Sequence, residues 1–428
     1  MLYPDAIQRL YDLRWFGAKF GLANTLKLAE LSGNPQDRLR FIHVAGTNGK
    51  GSTCAMLESI YHASGLKVGL FTSPHLVTFR ERIQVNRQPI SEQEVVQLVE
   101  DLQPLLGSFP PEEHPTFFEM VTIMGLRYFS AQQCDLVLWE TGLGGRLDAT
   151  NIVTPLASVI TNIQYDHQKW LGETLASIAA EKAGIIKPGI PVITGADTPE
   201  ALHVIVETAR QQNAPLTVVA PSEMLTPPLN ELHLPLLGHH QQMNAAVALA
   251  ATRVLSPILP LTQAAIRQGL ETVNWPGRMQ VLQLDGGRKV ILDGAHNAAG
   301  AGILAAAVKE FFQETEPVLI LGILRDKDWQ RMCQHFAPLS RRILLVPVNS
   351  ERTADPHLLA EACRQANPDT HVAEFPSLTQ ALTECTDAPF VIIAGSLYLV
   401  GEALELLQSE PARSERHLNE WTTPSQSR

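Results

Sequence analysis

Short apolar runs bounded by glycine and polar turns alternate with longer helix-like stretches through most of the chain. This is the signature of parallel α/β construction. Phe41–Ala45 reads as a short buried strand, Gly46–Ser52 as a glycine-rich turn, and Thr53–Ser64 as a helix stopped by Gly65 in the C′ position. Lys67–Thr72 is the next strand, which completes a βαβ unit. Further strands are predicted at Asp135–Glu140 and Ala157–Asn162, and a helix at Leu175–Ala183 ended by Gly184, with Pro188 and Gly189 beyond. The proline- and leucine-rich stretch Pro221–Gly238 reads as loops or short edge strands. A helix follows from about Gln241 to Leu255.

Pro276 and Gly277 break the pattern after Trp275, and a domain boundary is expected there. The pattern then restarts with strands at Lys289–Asp293, Val318–Leu321, Ile343–Val346 and Phe390–Ala394. The expected fold class is α/β: a mostly parallel sheet domain over 1–275, a smaller α/β domain over 276–408, and a polar, frayed tail over 409–428.

The chain has 428 residues, too many for one ordinary core, which agrees with two domains. No run reaches the eighteen or so apolar residues of a spanning helix. Asp5, Arg9, Asp12 and Arg14 interrupt the start of the chain, against a secretory signal. Cys54, Cys134, Cys333, Cys363 and Cys385 show no metal or redox spacing and read as reduced thiols. A cytoplasmic protein without a membrane partner is expected. The net charge of −11 argues against a nucleic-acid partner. It leaves room for an anionic substrate, because screening over roughly 8 Å lets a local basic pocket overrule the global sign.

The strongest chemical signal is Gly46, Thr47, Asn48, Gly49, Lys50, Gly51 and Ser52 between a strand and a helix. Glycines let backbone N–H groups approach phosphate oxygens, and the following helix points its positive end at them. Lys50 supplies a cation for the β and γ phosphates, and Ser52 a hydroxyl for Mg²⁺. The spacing departs from the common one: Val44 stands at the usual first glycine, and Gly51 separates Lys50 from Ser52. An ordinary tight βα turn is the competing reading.

A phosphate loop of this kind needs an acid for its metal, usually at the end of a neighbouring buried strand. The strand Leu136–Trp139 runs into Glu140, followed by Thr141 and a run of glycines to Gly145. A carboxylate there faces the crevice in which α/β sheets bind ligands. His167 follows the strand Ser158–Ile163 in the same way. Alone it reads as a loop residue; beside Glu140 and the phosphate loop it becomes a candidate.

These residues resemble the folate branch of the Mur ligase superfamily, the dihydrofolate synthase/folylpolyglutamate synthase family. The resemblance rests on an ordered series over about 360 residues. It includes Phe71–Leu76 with Phe79–Ile83, Thr116–Glu119 with Thr122, and Glu140–Asn151. It continues through Thr161–Ile163 with Asp166 and His167, Glu181–Gly184, and Gly238–Gln241 with Asn244. Pro276–Arg278, Asp293–Asn297, Gly322 with Asp326–Asp328, and Gly395–Tyr398 complete it.

The resemblance implies a Mur-ligase central domain followed by a Rossmann-like domain. It implies ATP held by the phosphate loop with Asn244, Arg278 and Asp293, and two Mg²⁺ ions whose ligands are Ser52, Ser73, Glu140 and His167. Lys50, His296 and Lys182 would act in catalysis, Lys182 as a carbamate. Thr116, Phe117, Phe118, Glu119, Leu147, Asp148 and Ala149 would contact the pterin. Phe118 would stack on it and Glu119 would accept from its ring N–H groups. Arg80 and Arg82 read equally as partners of a glutamate tail or as a solvated pair. One departure stands out: Gly21-Leu-Ala-Asn24 lacks the arginine that family members often carry there.

The implied reaction has two steps. A substrate carboxylate attacks the γ-phosphate of ATP to form an acyl phosphate, and the amine of L-glutamate then displaces phosphate. The substrates implied are dihydropteroate, reduced folates, L-glutamate and ATP, and the family leaning is a monomer. Three other readings compete. A peptidoglycan ligase carries an extra domain, for which 45 residues before Gly46 are too few. A switch or transport ATPase predicts a guanine-reading N-K-x-D run, and none is present. The third is folylpolyglutamate synthesis alone, against which Arg146–Ala149 resembles bacterial enzymes with both activities.

Overall fold

The computed structural model describes residues 1–16, 21–313, 316–408 and 415. Its strands form two sheets. The first holds β1 (Phe41–Ala45), β2 (Val68–Phe71), β3 (Ile83–Val85), β4 (Gln88–Pro89), β5 (Leu136–Glu140), β6 (Ala157–Ile160), β7 (Val192–Thr194) and β8 (Leu216–Val218). Their order is β4-β3-β2-β5-β1-β6-β7-β8. β3 pairs antiparallel with β2 and β4, and the other neighbours are parallel.

The second sheet holds β9 (Gln280–Gln283), β10 (Lys289–Asp293), β11 (Val318–Leu321), β12 (Arg342–Leu345), β13 (His371–Glu374) and β14 (Phe390–Ala394), in the order β13-β12-β11-β14-β10-β9. Only β9 is antiparallel. The architecture is therefore two α/β domains, as the alternation of patterns predicts.

β1 lies between β5 and β6, so its carboxyl end sits where the first sheet's connections diverge to either side. Ligands of open α/β sheets bind at such points. Helices Glu92–Leu106 and Phe117–Ala131 contribute Val95, Leu102, Met120 and Met124 to a core with Phe71, Phe129 and Trp139. A second core packs the helices Lys50–Ala63 and His239–Leu255 with strand residues such as Ile42, Val44 and Leu138. With helices covering it, the central strands β1 and β5 are buried along their whole length.

Several local differences from the sequence reading have physical causes. The helix after β1 starts at Lys50, because Gly49 adopts a left-handed φ of 83° and turns the chain into the helix early. Pro221–Gly238 contains two 3₁₀ turns, Pro221–Leu225 and Leu229–Glu231, and no strand. The strands β3, β4, β7, β8, β9 and β13 are two to four residues long, too short for a periodic signal. The tail from Ser409 lies outside the described residues except for Glu415. That residue's backbone N–H donates to Val77 O (3.1 Å), and its carboxylate accepts from Tyr3 Oη (3.0 Å) and Phe79 N (2.6 Å).

Candidate active site

One cavity runs between the two domains, and every residue singled out from the sequence as catalytic, nucleotide-, metal- or pterin-binding lines it. Its floor is the turn after β1. Thr47 N donates to Asn162 O (2.9 Å) and Asn48 N to Asn162 Oδ1 (2.8 Å), which ties the loop to the end of β6. The loop's glycines are sterically required at two points. A Cβ on Gly46 (φ 150°) would lie 1.9 Å from Thr161 Oγ1, and one on Gly49 would lie 2.3 Å from Asn244 Oδ1. The amino end of the helix Lys50–Ala63 opens towards the cavity, and anions are favoured there.

Two lysines converge on one carbonyl. Lys182 Nζ donates to Gly46 O at 2.8 Å and Lys50 Nζ donates to the same oxygen at 3.2 Å. Lys182 is buried, and desolvation, followed by the charge of Lys50, pulls its ammonium down to about 7.

Glu140 ends β5 and is buried. Its Oε2 accepts from Ser73 N at 3.0 Å. Burial raises its carboxyl, against the opposing charges of Lys50, Arg278 and Arg82.

Asp166 is the hub of the other wall. Burial would raise its carboxyl, but the Lys327 ammonium, followed by the hydrogen bond from His296, outweighs it and holds the group well below the usual carboxylate range. Its Oδ1 accepts from Lys327 Nζ (2.7 Å) and His167 N (2.8 Å), and its Oδ2 from Asn297 Nδ2 (3.1 Å). His296 Nδ1–H donates to Gly294 O (2.8 Å), which turns Nε2 towards Asp166 Oδ2 at 3.5 Å. His167 sits at a left-handed φ of 51°, with Nε2 3.5 Å from Lys327 Nζ. Burial and then that ammonium hold its imidazole neutral, down to about 3. Asn48 and Asn297 exchange side-chain hydrogen bonds (3.1 and 3.4 Å), a second tie between the domains.

The apolar wall comes from the helix Phe117–Ala131 and the loop after β5. Phe118 packs on the loop so closely that a Cβ on Gly142 would lie 2.5 Å from its ring. Phe117 turns towards Phe79, with ring centroids 6.4 Å apart, and Arg82 lies over its face at 5.3 Å.

Three candidate carboxylates are engaged with the backbone. Glu119 Oε2 accepts from Thr116 N (2.7 Å) and Thr116 Oγ1 accepts from Glu119 N (3.3 Å), a capping box. Asp148 Oδ2 accepts from Leu143 N (2.8 Å). Asp293 accepts from Met279 N and Ala295 N, both at 2.8 Å, and burial raises its carboxyl against the charge of Arg278.

Residues 44–252 match the Mur ligase middle domain and residues 277–397 the Mur ligase glutamate ligase domain. The dihydrofolate synthase/folylpolyglutamate synthase of Bacillus subtilis (strain 168) is 36% identical over 437 residues, covering 95% of this chain and 99% of the relative. The chain belongs to the dihydrofolate synthase/folylpolyglutamate synthase family of Mur ligases. The crystal structure of folylpolyglutamate synthase from Thermotoga maritima superimposes with a TM-score of 0.82 at 33% identity, covering 98% of this chain and 99% of that one. The E. coli enzyme FolC in complex with DHPP and ADP gives a TM-score of 0.82 at 32% identity, covering 96% and 98%. The protein is an ATP-dependent glutamate ligase. Among the described residues of this ligase, no helix is long and apolar enough to cross a membrane.

The donor set suits a magnesium ion. Among the described residues no three carboxylate, imidazole or thiol groups gather as a metal cage. Ser52, Ser73, Glu140 and His167 instead offer two hydroxyls, one carboxylate and one neutral imidazole to the same cavity. Mg²⁺ keeps several waters and uses few protein ligands beside a phosphate, so a sparse, oxygen-rich set fits it.

Asp166, Lys327, Arg352 and Tyr398 line the cavity although the sequence reading assigned them no role. Arg352 Nη2 donates to Tyr398 Oη (3.1 Å), and Arg352 Nη1 pairs with Asp326 Oδ2 (3.2 Å). The signal for Lys327 was its place in a charged run shortly after β11, at the carboxyl end of the second sheet.

Proposed function

We propose that this ligase joins L-glutamate to dihydropteroate and also extends reduced folates with further glutamates, working as a cytoplasmic monomer with two Mg²⁺ ions. The observation that carries this reading is one shared cavity lined both by the phosphate loop and by Phe118 and Leu147. A nucleotide and a flat aromatic acid can therefore meet there. The complex of the E. coli relative with DHPP and ADP supports it.

In the first step an oxygen of the substrate carboxylate bonds to the γ-phosphorus, the bond to the β-phosphate oxygen breaks, and ADP leaves. Two anions must approach, so Lys50 and the amino end of its helix offset their repulsion and the charge of the transition state. Bound at Ser52, Ser73, Glu140 and His167, Mg²⁺ would polarise the γ-phosphate and neutralise part of that charge. In the second step the glutamate amine bonds to the acyl carbon, phosphate departs, and the amine loses a proton to solvent or a neighbouring base. Asn244, Arg278 and Asp293 close on the nucleotide from the boundary and the second domain. His296 borders the phosphate path. Closure excludes water, which would hydrolyse the acyl phosphate.

Lys182 enters as a carbamate. An amine drawn down to about 7 keeps a substantial free-base fraction near neutrality. That lone pair can bond to the carbon of CO₂, with loss of one proton, leaving an anion where an ammonium would repel the metals. A ¹³C-bicarbonate NMR signal for a carbamate, absent in Lys182→Arg, tests this step.

The overall reading is tested by ADP release with ATP, Mg²⁺ and L-glutamate, comparing dihydropteroate with tetrahydrofolate and reading product mass. Turnover of both, each product one glutamyl unit heavier, is expected. Turnover of tetrahydrofolate alone would leave only polyglutamylation. Turnover of neither would overturn the folate reading.

A further inference from the structure

Beneath the substrate wall runs a hydrogen-bonded chain of three side chains that the reaction does not use directly. His43 lies in the middle of β1, fully buried, with Nε2 2.9 Å from Thr150 Oγ1. Thr150 Oγ1 is 2.5 Å from Asp148 Oδ1, and Thr150 N donates to the same oxygen at 3.0 Å. Asp148 Oδ2 receives Leu143 N at 2.8 Å. Trp139 Nε1 donates to Thr150 O at 2.9 Å, which holds Thr150 from the adjacent strand.

The proton count gives this chain one direction. A threonine hydroxyl has a single proton. Burial raises the Asp148 carboxyl, but both of its oxygens accept backbone N–H groups, Oδ1 from Thr150 N and Oδ2 from Leu143 N, which is the arrangement of a carboxylate acceptor, so Thr150 donates to Asp148. Thr150 Oγ1 must then accept from His43, which requires the Nε2–H tautomer. In that tautomer His43 Nδ1 is a lone pair, and among the described residues it has no hydrogen-bond partner. The absence of solvent around the ring agrees, since burial holds it neutral.

We propose that His43 and Thr150 are positioning residues for the pteridine-bearing substrate: they hold Asp148, and through it the loop 142–149, against Phe118. The loop has little slack. Phe118 fills the space beside Gly142, and a Cβ on Gly145 would lie 2.9 Å from both Lys182 O and Ile185 Cγ2. A shift of Asp148 must therefore move the wall formed by Phe118, Leu147 and Ala149, while the phosphate loop is held by separate bonds to Asn162. The inference rests on the folate reading for the identity of the substrate, but not for the existence of the chain.

Two measurements separate these parts. In protein carrying ¹⁵N-histidine, the imidazole spectrum of His43, assigned by its loss in His43→Leu, is expected to show the Nε2–H tautomer. An Nδ1–H tautomer would overturn the relay whatever the enzyme's substrate. In steady-state kinetics, Thr150→Val is expected to raise KM for the pteroate or folate substrate by about tenfold. KM for ATP should stay within about twofold, and Thr150→Ser should restore the wild-type value. Equal rises in both KM values, or a fall in thermal stability with neither KM changed, would reduce the chain to packing and sink the proposal. If the wild-type enzyme turns over neither dihydropteroate nor tetrahydrofolate, the folate reading fails, and the tautomer still decides whether the relay exists.

Discussion

Asp166 and Lys327, 161 residues apart in sequence, meet at 2.7 Å with side chains only 7% and 6% exposed. The pair joins the loop after β6 to the loop after β11, so it spans the two domains at the cavity. A buried pair contributes little net stability, but breaking it from one side strands a charge at a cost of about 3–5 kcal/mol. Lys327→Met should therefore lower the denaturation midpoint clearly. The double variant Asp166→Asn/Lys327→Met should recover much of the stability without recovering ligase activity. Equal stability of the single variant and wild type in urea titration would show that the pair is not formed in solution.

Unmodified, in buffer free of CO₂ and bicarbonate, Lys182 makes the opposite prediction for stability. In the unfolded chain its amine titrates at its ordinary 10.5, and in the fold at about 7. Between these values the unfolded chain binds the extra proton, so stability rises with pH, and the penalty is complete below about 7. Lys182→Met should thus be more stable than wild type in acid, by a few kcal/mol as an order of magnitude. The gap should narrow as pH rises, while activity is lost throughout. Chemical denaturation on either side of neutrality checks the slope.

Glu140 is the one carboxylate in the candidate metal set. Glu140→Gln keeps the acceptor for Ser73 N but removes the charge. Ligase turnover should fall by about a hundredfold or more, the scale of losing one electrostatic partner of a transition state. The Mg²⁺ concentration for half-maximal activity should rise. Chelation by EDTA should abolish wild-type turnover, with recovery on added Mg²⁺.

Phe118 should govern the aromatic substrate and leave the nucleotide alone. Its ring lines the cavity beside the loop after β5. Stacking contributes about 0.5–1.5 kcal/mol beyond burial, so Phe118→Ala should raise KM for the pteridine substrate by roughly tenfold. An unchanged KM would place that substrate elsewhere in the cavity.

Glu415 reaches the site indirectly. Its carbonyl receives His75 Nε2 (2.9 Å), and His75 Nδ1 accepts from Arg82 Nε (2.8 Å), the guanidinium that lies over Phe117. Ending the chain after Gln408 should loosen Arg82 and raise KM for the folate substrate severalfold with little loss of global stability. Wild-type kinetics from the truncated enzyme would show that this contact has no functional weight.

Much of the site could be read along the chain because its parts are local. A short apolar strand, a glycine turn and a helix are neighbours in sequence, and Glu140 sits at the end of its own strand. The ordered motifs add the family on the same local evidence. Hydrogen-bond partners are a different matter. Glu119 and Asp293 read as ligand-facing carboxylates and both line the cavity, but each also accepts backbone N–H groups, Asp293 from residues on two sides of a turn. Nothing in composition or spacing distinguishes an acid that caps its own helix from one that meets a substrate.

By itself, then, the sequence determined the α/β class, the glycine-rich turn after β1 and the kind of chemistry, since each depends on residues within one element or one turn. Only the tertiary structure decided that Lys327 would meet Asp166, that His43 would stand beneath Asp148, and that short edge strands would extend both sheets. The reason is physical. A buried charge or lone pair must find a partner wherever the packed chain supplies one. A two- to four-residue strand exists only because a neighbouring strand offers it a ladder.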